Sequence, residues 1–103
     1  MVRGIESFDE AAGRILDFAR QDLRTLVLVT ADHETGGLSL LNASPNGKLE
    51  VEWGSFGHTA LPVPLYAYGP GAERFSGVQD NTEPAQRMAD LMGFDLQREG
   101  TIR

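Results

Sequence analysis

Thr25-Leu26-Val27-Leu28-Val29-Thr30 runs directly into Ala31-Asp32-His33-Glu34-Thr35-Gly36-Gly37, and this junction decides how the chain reads. The first six residues are apolar, continuous and rich in β-branched side chains. Such a run suits a strand covered on both faces, as in a parallel sheet. The glycines beyond it permit a sharp turn. Asp32 and His33 therefore stand at the carboxyl end of the most buried-looking strand, the end at which open α/β sheets bind ligands. Adjacent strand residues point to opposite faces. Asp32 and His33 can converge on one site only if the chain leaves strand geometry there, and Gly36 and Gly37 allow that departure.

Upstream, the spacing predicts a helix from Ser7 to Arg20. Ser7 and Glu10 stand at capping-box spacing. Phe8, Ala12, Ile15 and Ala19 recur at helical intervals, widened by Ala11, Leu16 and Phe18. Downstream, Leu38 to Leu41 and Lys48 to Trp53 read as two strands joined through Asn42 to Gly47, with Asn46-Gly47 as the turn signal. In the second strand Leu49, Val51 and Trp53 alternate with Lys48, Glu50 and Glu52, one dry face and one wet face. Gly54 to Leu61 is a loop, and Pro62 to Tyr68 a further strand closed by Gly69-Pro70-Gly71. Asn81 or Thr82 caps a last helix with Pro84 in its first turn, where proline is tolerated. Its apolar stripe is Ala85, Met88, Ala89, Leu91 and Met92. Gly93 stops it, Phe94 packs back, and Asp95 to Arg103 is a polar, frayed tail.

Helix, strand, hairpin, strand, helix is an α/β order with a mixed sheet. Two helices are too few to cover a buried-type first strand, so the pattern implies chain beyond this one. The length of 103 residues predicts one domain with a modest core. At 41% hydrophobic and 23% charged, the composition is globular. No apolar run approaches the roughly 20 residues of a membrane span, and Met1 to Glu6 lacks a signal-type apolar segment. The formal net charge of -6, with scattered basic residues, argues against nucleic-acid and anionic-membrane partners. It also means that an anionic substrate needs a local positive charge, such as a metal ion. The absence of cysteine removes disulfides and thiolate metal sites and leaves the compartment open.

Carboxylate and imidazole are the usual zinc donors where cysteine is absent. Asp32 and the two histidines, His33 and His58, supply them, and three ligands with an open position describe a catalytic zinc. Each has a plainer reading. Asp32 can cap the following turn, His33 can be an exposed loop residue, and His58 can bond a nearby carbonyl. Thr59 reads as support for the His58 loop; Glu34, Thr35 and Ser55 read as supporting groups or as turn residues. Gly69-Pro70-Gly71 reads as a turn, since no phosphate-loop lysine accompanies it. Met88 and Met92, Trp53 and Tyr66 read as packing residues, and no serine has nucleophile-elbow context.

Three blocks carry a family resemblance. Thr25 to Gly37 resembles the strand-and-ligand segment of bacterial alkaline phosphatases. Gly57-His58-Thr59 with Pro62 to Ala72 resembles their late histidine motif and the strand after it. Phe75-Ser76-Gly77 and Asp80-Asn81-Thr82 resemble the approach to their last helix. The likeness covers nearly the whole chain in matching order, and the blocks together are far more specific than any one. It implies residues 1–103 as a single fragment, the C-terminal portion of an alkaline-phosphatase-like three-layer sandwich with a mixed β-sheet and flanking helices. It also implies a zinc-dependent phosphomonoester hydrolase with two zinc ions and a magnesium ion. Asp32 and His33 would then belong to one zinc and His58 to the other. The family's nucleophilic serine, phosphate-binding arginine, magnesium ligands and remaining zinc ligands lie upstream of the matching region and have no counterpart here. A periplasmic or secreted parent, a homo-oligomer and negligible activity of the isolated chain follow as expectations. The alternatives are a related phosphodiesterase or sulfatase, and a non-catalytic module that binds metal weakly and oligomerises through uncovered apolar surface.

Overall fold

The protein is described here as a computed structural model covering residues 2–43 and 46–96. Ser44 and Pro45 of the expected hairpin turn, and the expected frayed tail beyond Leu96, lie outside the described residues. The chain is α/β in class and divides into two compact units, Met1–Val29 with Tyr66–Arg103, and Thr30–Leu65.

The first unit opens on α1, Val2–Asp22. This helix begins well before Ser7, which therefore does not cap it. Inside a helix a serine hydroxyl bonds back to the carbonyl one turn earlier, and the Ser7 hydroxyl donates to the Arg3 carbonyl at 2.9 Å. Glu10 bonds forward to Arg14 instead of back to a cap. Leu23 ends the helix in the left-handed region (φ 61), and its amide donates to the Ala19 carbonyl at 3.0 Å. Next comes β1, Val27–Thr30, shorter than the predicted run. A 3-10 helix, Ala72–Phe75, and α2, Glu83–Met92, complete the unit.

Thr82 occupies the N-cap position of α2 without a side-chain cap bond. Its hydroxyl is turned away to Asp80 Oδ1 at 3.0 Å, and that same oxygen accepts the Thr82 amide at 3.1 Å. The capping work passes to Asp80, whose own amide reaches Glu83 Oε1 at 3.4 Å. At the other end Gly93 is left-handed (φ 75), and the Phe94 amide donates to the Ala89 carbonyl at 2.8 Å. This is the glycine stop expected from the sequence. The buried apolar side chains among the described residues, Ala19, Val27, Phe75 and Ala89, all belong to this unit.

The second unit is built from short antiparallel ladders. β2 (Glu34–Thr35) pairs with β5 (His58–Thr59), and β3 (Leu38–Ala43) with β4 (Leu49–Trp53). β6, Leu65–Tyr68, lies almost wholly in the first unit and pairs there with β1. Pro62 to Pro64 stay outside β6, in keeping with proline's missing ladder donor. Among the described residues the strands thus form three two-stranded sheets, and no continuous mixed sheet joins them. The β2–β5 ladder falls where glycine-rich loops were expected, because each of its strands has only two residues and no periodicity to reveal it.

The hairpin keeps its predicted alternation. Leu38 faces Trp53 and Leu40 faces Val51, while Ser39 faces Glu52, with an irregularity between Leu40 and Asn42. Its dry face is uncovered, however: Leu40, Leu49, Val51 and Trp53 are all exposed.

Candidate metal centre

The polypeptide leaves strand geometry immediately after Thr30 and re-enters it at Glu34. That break is what the Asp32-His33 pair needs. Asp32 Oδ2 lies 3.3 Å from His33 Nε2, while Oδ1 accepts the His33 amide at 3.1 Å. The turn-capping reading of Asp32 is therefore realised as well, by one oxygen, leaving the other aimed at the imidazole.

The β2–β5 register brings in the second histidine. Thr35 stands opposite His58 and Glu34 opposite Thr59. The imidazoles of His33 and His58 stack, with ring centroids 3.6 Å apart and planes at 28°. Both residues are exposed, so the pair opens to solvent. All three predicted ligands thus meet in one short stretch of the second unit, although among the described residues no three His, Asp or Glu side chains are arranged to hold a single ion.

Supporting groups fix the ring orientation. His33 Nδ1 lies 3.1 Å from the Glu34 carbonyl and 3.3 Å from the Thr35 hydroxyl. A carbonyl only accepts, so this contact is a hydrogen bond when the ring carries a proton on Nδ1. In the Nδ1–H tautomer, Nε2 faces the Asp32 carboxylate with a lone pair, and two such electron-pair donors suit a cation. An imidazole whose second nitrogen is anchored on a carbonyl is also the usual arrangement of a metal-ligating histidine. The donor set fits a divalent metal with nitrogen and oxygen preference.

Glu34, whose role the sequence left open, bridges the ladder. One carboxylate oxygen accepts the Gly37 amide at 2.7 Å, and the other accepts the Thr59 hydroxyl. The Thr59 hydroxyl holds the Glu34 carboxyl below the ordinary glutamate range; partial burial opposes this, and the Gly37, Thr59 and Leu38 amides reinforce it. Ser55 tightens the same loop by accepting the Gly57 amide at 3.0 Å. Gly36 sits beneath the Trp53 ring in the left-handed region (φ 80), a close approach that only glycine permits. Trp53 therefore packs against the turn at Gly36, as its packing reading required.

Asp32, His33 and His58 offer the nitrogen and oxygen donors that metalloenzymes use. The chain belongs to the metalloenzyme superfamily, whose family model matches residues 1–100. Within that superfamily its likeness runs to alkaline phosphatases and their kin. It is 39% identical over 94 residues to a streptomycin-6-phosphate phosphatase of Streptomyces griseus, covering 74% of this chain and 21% of that protein. It is 33% identical over 103 residues to an alkaline phosphatase of Escherichia fergusonii, covering 84% of this chain and 22% of that protein. A variant of the alkaline phosphatase from the Antarctic bacterium TAB5, solved with magnesium bound, superposes with a TM-score of 0.78 at 37% identity, covering 88% of this chain and 29% of that one. The chain thus spans about a fifth of the length of those two curated relatives.

Proposed function

We propose that this chain forms part of a zinc-dependent phosphomonoester hydrolase and contributes metal ligands to it. Asp32 and His33 would hold one ion, and His58 a second. The observation that carries the proposal is the paired geometry of Asp32 and His33 beside the stacked His58 ring. Zinc held by these residues would polarise a phosphoryl oxygen and lower the pKa of a bound water.

The residues of this chain have distinct parts in that arrangement. The Glu34 carbonyl and the Thr35 hydroxyl orient the His33 ring from the Nδ1 side. Asp32 brings a negative oxygen to the Nε2 side, which favours a cation there over water. The open face of the pair admits a solvent-borne, doubly charged ester, and the acidic chain relies on bound metal for the positive charge that attracts it. The chain lacks an identifiable nucleophilic serine, so covalent phosphoryl transfer by this chain alone is not expected.

Zinc titrated calorimetrically into the metal-free chain should bind, and Asp32→Ala, His33→Ala and His58→Ala should each weaken it. Phosphomonoester turnover by the pure chain should be negligible. Absent zinc binding would remove the ligand assignment; zinc-dependent turnover by the pure chain would overturn the inactivity.

A further inference from the structure

We infer that Glu34 is the positioning residue of this site: its carboxylate ties the His33 strand to the His58 strand and so sets the spacing of the two imidazoles. The inference rests on the metal-site reading, but it concerns a different residue and a different property.

Glu34 immediately follows His33 in the chain and faces Thr59 across the ladder, and Thr59 immediately follows His58. Each histidine is therefore one residue from an end of the same side-chain bridge. The β2–β5 ladder has only two residue pairs, too few to fix a register alone, since isolated short strand pairs are marginal in water. The backbone adds the Gly36 amide to the Gly57 carbonyl at 2.9 Å and the Ser55 amide to the Gly36 carbonyl at 3.1 Å. The first ends beside His58, but neither has an end adjacent to His33.

The Glu34 carboxylate does what those bonds do not. It accepts the Gly37 amide at 2.7 Å, closing the turn after His33, and accepts the Thr59 hydroxyl, closing the strand after His58. Thr59 passes the restraint on, because its hydroxyl oxygen also accepts the Leu61 amide at 3.3 Å. Charge-assisted acceptors of this kind form the stronger class of hydrogen bond. With the bridge in place, β5 cannot slip against β2 without breaking the bond from Thr59 to Glu34. Without it, only the two-pair ladder and the two backbone bonds at Gly36 oppose a slip that would separate the rings.

The test uses the full, metal-free chain as wild type, Glu34→Ala, Glu34→Gln and Thr59→Val. Proton NMR of the imidazoles reads the stacking directly through mutual ring-current shifts, before any metal is added. Glu34→Ala should lose those shifts. Glu34→Gln should keep most of them, since its amide retains one acceptor for Gly37 and a donor toward the Thr59 oxygen. Thr59→Val, which keeps shape and removes the hydroxyl, should move them in the same direction as Glu34→Ala by less. Zinc alone, titrated afterwards, should bind Glu34→Ala about tenfold to a hundredfold more weakly than wild type, the usual loss when a ligand's support is removed. Histidine shifts unchanged in both Glu34→Ala and Thr59→Val would overturn the inference. Should Glu34→Ala fail to fold, unchanged shifts in Thr59→Val would overturn it alone. Wild-type chain that binds no zinc would defeat the metal reading, and the metal-free shifts would still decide the role of Glu34.

Discussion

A β-carbon on residue 36 would collide with the Trp53 indole, and the backbone there already lies at φ 80. Left-handed backbone costs a non-glycine residue roughly 1–2 kcal/mol, and Trp53 must move as well. Gly36→Ala should lower unfolding stability by at least about 1 kcal/mol by the same argument, measured by chemical denaturation with Trp53 fluorescence as the probe. An unchanged midpoint would show that the indole does not rest on this glycine. At this scale the candidate residues stood out in the sequence, because Asp32, His33 and His58 are marked by chemical type and by nearby glycines, and the structure brings their side chains near one another. The bridge from Glu34 to Thr59 did not stand out, because it joins residues 25 positions apart. Nothing local to either residue encodes the register that brings them together.

Helix ends are where local sequence rules and observed elements part most clearly. Ser7 and Glu10 have capping-box spacing, yet α1 runs through them from Val2, since the preceding residues can extend the same helix. At its other end an exposed Leu23 takes the left-handed position that glycine prefers. Leu23→Gly should relieve roughly 1–2 kcal/mol of backbone strain and lose part of that to greater freedom of the unfolded chain. The net result should be a higher melting temperature by far-UV circular dichroism, and a lower one would refute the strain. The carboxylates at the helix boundaries make a second prediction. Asp22 is held below the ordinary range by the Thr25 hydroxyl first, with partial burial opposing and Arg24 assisting. Asp80 is held low by the Thr82 amide and hydroxyl against slight burial. A lowered folded-state pKa gives stability that is fully present above the unfolded value, about 3.9 for aspartate. It is lost as pH falls through the lower folded value. Melting temperatures should therefore fall with acidification below about pH 4, and less steeply in an Asp22→Asn, Asp80→Asn double variant. Equal acid slopes in the two proteins would remove these carboxylates from the account.

Among the described residues, exposed large apolar side chains outnumber buried ones. The α/β class was readable from the order of periodic segments, as was the shortage of elements to cover them. The division into separate two-stranded sheets was not, because pairing depends on contacts that short, nearly aperiodic strands do not announce. The buried apolar set among the described residues is Ala19, Val27, Phe75 and Ala89. Against it stand Ile5, Phe8, Ile15 and Phe18 on α1, and Leu40, Leu49, Val51 and Trp53 on the hairpin, all exposed. On α1 these side chains recur at intervals of three to seven residues, and on the hairpin Leu40 faces Val51 while Leu49 and Trp53 flank Val51 at alternate positions of its strand, so neither set is scattered singly. Contiguous exposed apolar patches beyond a few hundred Å² are rare on stable monomers and mark surfaces that seek a partner. The chain's charge of -6 opposes self-association at long range, and salt screens that repulsion over about 10 Å at 0.1 M. The isolated chain should therefore self-associate with rising concentration, more strongly at high salt than at low. Sedimentation velocity across a concentration series at both salt levels tests this directly. Replacing Phe8, Ile15 and Phe18 together by glutamine should shift the distribution toward monomer if α1 supplies the contact, whereas the same change in Leu40, Val51 and Trp53 should do so if the hairpin does. A monomer at every concentration and salt level would mean that these faces are solvated as they stand.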